Sequence, residues 1–448
     1  MEVKVFVEHL FAAGQSKGFT DMESYVALRN IFRVGVFKSE IDSYTLAESR
    51  GLSFRGLING RMGYSFTENL DIDSVGLLIE DAAANAMIID SEDIEEIYSG
   101  SRPDSYHQLD SFSSELEQVQ ATDKIAWAKE LEKAAYALDS RVSTVQVSMG
   151  SSSGETLLAN TRGLNLAHQG NFADSYIAVV AKEGEDTKSA YAFFSSRDFA
   201  KFALAKLAEE AVQEATSLLG AESIASGSHK VLLRHDVAGE FLATFASSFS
   251  AEAVQKGLSL LKDRLGHQIM STAITIIDNP HLPERPSSAP FDAEGVATKP
   301  KKVVDEGRLV TLLHNLKTAK KDGVETTGNA YKAAFNAPVT VAPTNFYIQA
   351  GEKEFTELVT ELGNGLIIIA VQGTHSGANP VSGDFSLSAY GYLVEEGKIA
   401  RPVNQITIAG NFFAMLSDIQ GVGKDLLFKY GPVASPSLLI GSLAVSGK

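Results

Sequence analysis

The strongest constraint on the fold is a turn dipeptide between two runs of alternating apolar and polar residues. Asn59 and Gly60 lie at the centre of the stretch GLSFRGLINGRMGYSFT. Both turn residues tolerate positive φ, so the stretch predicts two antiparallel strands joined by a tight hairpin. Glu-Gly pairs in two later stretches, VVDEGRLV and YLVEEGKIA, predict two further hairpins.

Helical patterns occur between these strands. They cover residues 2–17, 73–89, 123–138, 199–219 and a long stretch that ends at about Thr275. The continuous apolar run LIIIAVQG predicts a buried strand. Four of the twelve prolines fall between Pro280 and Pro290, where they predict a loop. The pattern as a whole predicts an α+β fold, with helices and antiparallel strands in each unit.

The length of 448 residues exceeds what one hydrophobic core usually organises. A polar stretch with glycine and proline, DSEDIEEIYSGSRPDS, is typical of a linker. We predict an N-terminal α+β domain over residues 1–95, a central α+β domain over 96–225, and a β-rich C-terminal domain over 226–448 that carries the motif described below.

Composition limits the classes of function. The formal charge of -17 disfavours direct binding to nucleic acid or to an anionic membrane. The chain has no cysteine, which excludes disulfides, thiolate nucleophiles and any zinc site that needs a sulfur ligand. The first residues lack the apolar core of a signal peptide, and no long apolar stretch follows. We therefore expect a soluble cytoplasmic protein.

The stretch HKVLLRHDVAGEF, which starts at residue 229, predicts a strand that leads into a helix. The helix should bury one apolar stripe, formed by Val237, Phe241, Leu242, Phe245 and Phe249. Asp236 would be its N-cap, where the helix dipole stabilises an acid.

The same helix start resembles a metal motif. His235 and Glu240 are five residues apart, or roughly 140° around a regular helix, so only a kink at Gly239 would direct both at one ion. One histidine and one carboxylate are also fewer ligands than a catalytic zinc site uses. Helix capping is the favoured interpretation. In the alternative, His235 and Glu240 are metal ligands, and His235 and Asp236 are catalytic.

The other histidines do not complete such a site. Three of them show no ligand-like spacing, namely His267, His281 and His314. His375 lies in the loop QGTHSGANPVSGDFS after the predicted buried strand, where the backbone could close on a ligand. A connection made of good turn formers is the favoured interpretation. The alternative is a peptide-binding loop in which His375, Asn379 and Asp384 contact the peptide.

Several stretches in fixed order resemble the signature blocks of the TldD/PmbA family. They are RGLSFRGLINGRMGYSFT, FDAEGVATKPKKVVDEGRLVTLLHN, AKKDGVETTGNA, NPVSGDFSLSAYGYLVEEGKIARPV and QITIAGNFFAML. The resemblance implies a three-part α+β fold and a cytoplasmic metallopeptidase, assembled from two related chains, that cleaves unfolded peptides. The family has also been called a modulator of DNA gyrase, but the acidic charge gives no reason to expect DNA binding.

In the TldD-like chains of this family, a helix bearing H-E-x-x-x-H supplies two zinc ligands and the general base, and a later cysteine is the third ligand. Here His235 matches the first histidine, Asp236 is a shorter acid than the glutamate, and Glu240 replaces the second histidine. The cysteine is absent. A misplaced base alone can cost about a hundredfold in rate. The resemblance therefore points to the PmbA/TldE-like branch.

Three hypotheses about function follow. The preferred one is a subunit that binds no cofactor itself and forms a heterodimer with a TldD-like chain that carries zinc. The second is an autonomous metallopeptidase with a His/carboxylate site. The third is a homodimeric module that binds extended peptides by strand addition to its β-rich unit, without catalysis.

Overall fold

The hairpin at Asn59 and Gly60 forms as predicted in the structure, a computed structural model that describes residues 2–88, 95–100, 105–429 and 431–448. The two residues have φ values of 51° and 74°, and Ile58 lies opposite Arg61. Both Glu-Gly hairpins form as well, each with positive φ at the glutamate and at the glycine. The α+β fold class is confirmed.

The first two predicted units share one antiparallel sheet. Its strands are β1 (Asp21–Phe37), β2 (Glu40–Ile58), β3 (Arg61–Thr67), β4 (Val142–Asn160), β5 (Asn165–Glu183) and β6 (Asp186–Ser196). Their order in the sheet is β3-β2-β1-β4-β5-β6, so β1 of the first unit pairs with β4 of the second. This sheet therefore crosses the predicted boundary at residue 95, which itself stays a prediction.

Helices cover this sheet in two groups. They are α1 (Val3–Lys17), α2 (Ser74–Ile88), α3 (Ser114–Gln118), α4 (Ala121–Leu138) and α5 (Leu204–Ser217). Phe6, Leu10 and Leu78 of α1 and α2 pack on Leu52 and Phe54 of β2. A second core lies between α4, α5 and strands β4 to β6. The predicted helices are confirmed to within a few residues, except that only a short 3-10 helix occupies Phe199–Lys201 before α5.

The third unit contains the remaining strands and helices. The strands are β7 (Gly227–Leu233), β8 (Ile276–Asp278), β9 (Lys301–Asp305), β10 (Arg308–Leu309), β11 (Ala330–Tyr331), β12 (Thr340–Val341), β13 (Phe346–Ile348), β14 (Gly365–Gln372), β15 (Asp384–Glu395), β16 (Lys398–Asn411), β17 (Ile419–Val422), β18 (Val433–Ala434) and β19 (Leu438–Ser446). The helices are α6 (His235–Phe245), α7 (Ala251–Gln255), α8 (Leu316–Asp322), α9 (Phe355–Leu362), α10 (Thr374–Gly377) and α11 (Phe412–Ser417).

One sheet of the third unit has the order β16-β15-β14-β7-β19-β17, and β16 also pairs with β19, which joins five of the strands in a ring. The run LIIIAVQG is confirmed as buried strand β14. A second sheet has the order β10-β9-β8-β13-β18, and β11 and β12 form a two-stranded sheet. The apolar core of the unit packs α6 against these strands.

The predicted long helix to Thr275 is wrong. Helix α7 ends at Gln255, and Gly257 follows with φ of 70° and an N–H that donates to the Val254 carbonyl. Left-handed residues at Gly257, Asp263 and Gly266 are incompatible with a continuous helix. The prolines of residues 280–290 lie in turns and bends, as predicted.

The predicted linker is described only in part, because residues 90–94 and 101–104 lie outside the described residues. Across the part of the chain that the structure describes, no helix is both long and apolar enough to cross a membrane.

Candidate functional site

Helix α6 begins directly where strand β7 ends. The Arg234 N–H still donates to the Ile368 carbonyl at 3.0 Å, and α6 starts at the next residue. The predicted burial is confirmed, since each of these side chains is at most 1 % exposed: Val237, Phe241, Leu242, Phe245 and Phe249. The first four form the stripe on α6, and Phe249 lies in the 3-10 helix Ala246–Phe249 that follows it. The stripe fixes the helix on the core, so its polar first turn has a defined position.

Asp236 is not the N-cap, and that prediction is wrong. Arg234 has the extended backbone of the N-cap position, because the strand continues up to it, and Asp236 is the second residue of the helix. The Asp236 carboxylate instead accepts hydrogen bonds from Arg234 Nε at 2.8 Å and Arg234 Nη2 at 2.6 Å. Arg234 also forms an ion pair with Glu214 of α5.

A second cation reaches the same carboxylate from the far end of the chain. Lys429 Nζ lies 3.5 Å from Asp236 Oδ2 and 3.5 Å from Glu210 Oε1. It also lies 5.5 Å from the centroid of the Tyr191 ring. Burial opposes ionisation of Asp236, but the positive charges of Arg234 and Lys429 outweigh it and lower the pKa of Asp236. Asp236 is therefore an anion held between two cations.

His235 pairs with a different carboxylate. Its Nδ1 lies 3.2 Å from Asp425 Oδ2, and Asp425 also accepts hydrogen bonds from the Ser437 N–H at 2.9 Å and the Ser437 hydroxyl at 2.7 Å. Burial alone would raise the pKa of Asp425, but the hydrogen bonds from His235 and Ser437 lower it to about 2. This arrangement orients the imidazole.

His235, Asp236 and Glu240 all line one cavity of about 420 Å³. Glu240 accepts a hydrogen bond from the Thr374 hydroxyl at 3.4 Å, and burial raises its pKa. Helix α6 continues without a break through Gly239, so the kink that would direct His235 and Glu240 at one ion is not present. The three polar side chains share a cavity but have separate partners.

No three His, Cys, Asp or Glu side chains meet as a possible metal site anywhere in the described ranges 2–88, 95–100, 105–429 and 431–448. Catalytic zinc sites use three protein ligands and keep one position open. In addition, Asp236 already contacts two cations, whose charge would repel a metal ion. The side chains around α6 do not fit the zinc site of the family.

The candidate peptide-binding residues are all exposed, and two of them, Asn379 and Asp384, lie at the two ends of one turn. The Asn379 N–H donates to the Asp384 carbonyl at 2.8 Å, and Asp384 Oδ1 accepts from Asn411 Nδ2 at 2.9 Å. His375 is exposed in the short helix α10, next to the Thr374 that contacts Glu240. None of the three lines the cavity beside α6. Their contact with a peptide stays a prediction.

The other histidines lie apart from this cavity. His281 stacks on His107 with ring centroids 4.3 Å apart, and its Nε2 lies 3.1 Å from the Thr298 hydroxyl. His314 is buried near α8, and burial lowers its pKa. His267 N donates to the Arg264 carbonyl in a turn. The absence of ligand-like spacing in the sequence thus matches their separate positions.

Sequence reasoning missed the residues that hold the site in place. Asp425 is 190 positions from His235, and Glu214 is 20 positions from Arg234. No local pattern connects these partners. Of these residues, Arg234 could have been found from the local sequence, because it immediately precedes the motif that begins at His235.

Three family models cover most of the chain. The PmbA/TldA metallopeptidase C-terminal domain matches residues 226–447, the central domain matches 114–219, and domain 1 matches 25–86. The chain belongs to the PmbA/TldD family. The resemblance that the signature blocks predict is therefore confirmed.

Similar PmbA/TldD proteins carry names that agree with this assignment. A metalloprotease PmbA homolog of Haemophilus influenzae is 27 % identical over 91 % of this chain and 88 % of its own. The metalloprotease PmbA of Escherichia coli O157:H7 is 26 % identical over 74 % of this chain and 71 % of its own.

Solved structures of PmbA/TldD proteins agree with the fold. A Thermotoga maritima protein described as a modulator of a DNA gyrase is 33 % identical, with a TM-score of 0.92 over 99 % of this chain and 100 % of its own. The TldE of Thermococcus kodakarensis has a TM-score of 0.90 over 99 % of this chain and 100 % of its own. At 21 % identity, that second likeness concerns the fold alone.

Proposed function

We propose that this chain is the TldE-like subunit of a cytoplasmic two-chain metallopeptidase that acts on unfolded peptides. It carries no catalytic zinc. The zinc and the general base come from a TldD-like partner, and this chain completes the assembly in which the peptide is cleaved.

The observation that carries the proposal is the ion network at the start of α6. Arg234 and Lys429 form ion pairs with Asp236, which occupies the position of the general base in the family. A carboxylate held by two cations is a poor proton acceptor, because its pKa is lowered. Helix α6 is therefore packed in the core, while the acid at the general-base position forms ion pairs within the chain.

A surface suited to a partner chain supports the same proposal. Strand β2 pairs with β3 only from Leu52 onwards, so the outer edge of residues 40–51 has no neighbouring strand among the described residues. Ile41, Tyr44 and Leu46 are 45 %, 52 % and 72 % exposed on that strand. A long open edge with exposed apolar side chains is typical of a surface that another chain covers.

The test compares the purified chain with the chain mixed with a TldD-like relative that has an intact H-E-x-x-x-H. Alone, this chain should hold less than one equivalent of zinc and should not cleave an unfolded peptide. The mixture should elute as a heterodimer in size-exclusion chromatography and should cleave the peptide. Proteolysis by the mixture that equals the activity of the TldD-like chain alone would contradict the proposal.

The same samples decide between the other two hypotheses. Stoichiometric metal and peptidase activity in the isolated chain, both lost in His235→Ala and Glu240→Ala, would establish an autonomous enzyme in place of the proposed subunit. A stable homodimer that binds peptide, unaltered by the TldD-like chain, would establish the binding module.

A further inference from the structure

A second and larger cavity, of about 870 Å³, lies between the first sheet and the third unit. Strands β1, β2 and β3 form one wall, and Glu294, Lys332 and residues 336–340 of the third unit contribute to the other. No residue of the α6 motif lines it. Its volume is within the range of small-molecule sites, which is about 300–1,000 Å³.

The strand register fixes the polar groups on the sheet wall. Glu23 of β1 lies opposite Arg55 of β2, and Tyr25 lies opposite Ser53. Glu23 and Ser53 are therefore diagonal neighbours, whose backbones are about 7–8 Å apart. An acid and a hydroxyl thus face the cavity at a separation comparable to the length of a small molecule.

Lys332 supplies a cation that contacts a hydroxyl and an aromatic ring and lies near the charges of Arg55 and Glu23. Its Nζ donates to the Ser53 hydroxyl at 2.8 Å and lies 5.2 Å from the centroid of the Tyr25 ring. Burial and the neighbouring Arg55 lower the pKa of Lys332 to about 8. An ammonium has three N–H donors, so the Lys332 ammonium can donate to a bound anion as well as to the Ser53 hydroxyl.

The wall also contains polar atoms that lack a hydrogen-bond partner among the described residues. Arg55 donates from Nε to Glu23 Oε1 at 2.7 Å and from Nη1 to Glu294 Oε1 at 3.2 Å. Its Nη2 and the Glu23 Oε2 are buried without such a partner, in side chains that are only 9 % and 3 % exposed. Buried polar atoms are rarely left unsatisfied, so a bound molecule or water is expected beside them.

The cavity therefore presents both signs of charge. In the buried part of the lining, Glu23 and Glu294 share the one guanidinium of Arg55, and Lys332 supplies a positive charge close by. Asp81 also lines the cavity, and the other charged lining residues form ion pairs, Glu95 with Lys317, Glu96 with Lys320 and Glu252 with Lys256. Phe66 lines the same cavity, is 57 % exposed and lies 6.2 Å from the Phe335 ring. The complementary molecule has an anionic end, a cationic end and an apolar side.

We propose that this cavity binds a small zwitterion with an apolar side chain, namely an α-amino acid or a dipeptide. Lys332 and Ser53 bind its carboxylate, its ammonium approaches Glu23, and its side chain covers Phe66. This site is independent of the proposed subunit function, because it uses no residue of the α6 network.

Isothermal titration calorimetry on the full chain tests the ligand class, with phenylalanine and glycylphenylalanine as probes. Saturable binding of at least one probe is expected. N-acetylphenylalanine and phenylalanine amide, which each lack one charge, should bind at least about tenfold more weakly, the factor expected for one charge-assisted hydrogen bond. Equal binding of either analogue, or no saturable binding below about 10 mM, would overturn the proposal.

Variants test the location. Lys332→Met should weaken binding of the same probe at least about tenfold. Lys302→Met is the matched control, since Lys302 is 53 % exposed, pairs with Asp305 and lies outside the cavity, and it should bind as the unaltered chain does. Ser53→Ala provides a second, smaller change if Lys332→Met does not fold. Unchanged affinity in the folded cavity variants would overturn the assignment.

Discussion

Asp425 holds the start of α6 from a distant part of the chain. Its carboxylate receives hydrogen bonds from His235 and Ser437 and has a pKa of about 2 in the folded chain, against 3.8 for an unperturbed aspartate. A folded-state pKa below the unfolded value stabilises the protein at pH values above the unfolded pKa. That stabilisation is lost as pH falls from about 4 to about 2.

Asp425→Asn should therefore lower the free energy of unfolding at pH 7. Taken alone, the pKa difference would predict a larger loss in the free energy of unfolding. Because the Asp425 side chain is partly exposed, solvent screening reduces the expected loss to about 1 kcal/mol. Chemical denaturation at pH 7 and pH 3 measures it, and the difference between the two chains should shrink at the lower pH. Asp305→Asn, on an exposed carboxylate, is the control. A loss that does not depend on pH would contradict the assignment to ionisation.

Single residues also mark the limit of prediction from sequence. The apolar stripe of α6 was predictable because its members recur with helical spacing within one short stretch. The partners Asp425 and Lys429 were not, since only the tertiary fold brings them to the helix start. The residue type of Asp236 favours the N-cap position, but Arg234 is hydrogen-bonded to β14 and the helix begins at the residue after it.

At the scale of elements, hairpins were predictable and one long helix was not. Asn59 and Gly60 define a turn by themselves, because positive φ at both positions leaves few alternatives. Residues 256–275 retain apolar spacing that favours helix, but left-handed residues such as Gly257 and Gly266 end it. The pairing of β1 with β4 depends on strands far apart in sequence, which no local pattern indicates.

The open edge of β2 allows a test of partner binding. Leu46→Glu places a charge on a side chain that is 72 % exposed on that edge, so it should weaken the complex with a TldD-like chain at least about tenfold without loss of stability. Leu77→Glu is the matched control, because Leu77 is 66 % exposed on α2. Sedimentation of the mixed chains measures the affinity. Equal affinities for the two variants would exclude the β2 edge as the interface.

At the scale of the whole molecule, Arg55 connects the first sheet to the third unit. It pairs with Glu23 on its own sheet and with Glu294 of the third unit, and all three side chains are buried. Glu294 also accepts from the Leu316 N–H at 2.9 Å. Removal of the guanidinium would leave two buried carboxylates without the cation that both of them contact.

Arg55→Met should therefore destabilise the protein by about 3–5 kcal/mol, the usual cost of breaking a buried pair by removing one partner. Arg162→Met removes a pair with Asp21 that is 40 % exposed at the arginine, and it should cost about 0–1 kcal/mol. Urea denaturation of both variants compares the two losses. Equal losses would show that the buried pairing contributes no more than a surface pair.

The pairing of β1 with β4 has a consequence for synthesis of the chain. Phe37 of β1 pairs with Gln146 of β4, so the inner edge of β1 cannot begin to be covered until roughly a hundred further residues have left the ribosome. At a synthesis rate of about 5–20 residues per second, the backbone groups of that edge stay unpaired for on the order of 5–20 s. Exposed strand edges in nascent chains promote aggregation, so this protein is expected to depend on chaperones between the emergence of its first three strands and its fourth.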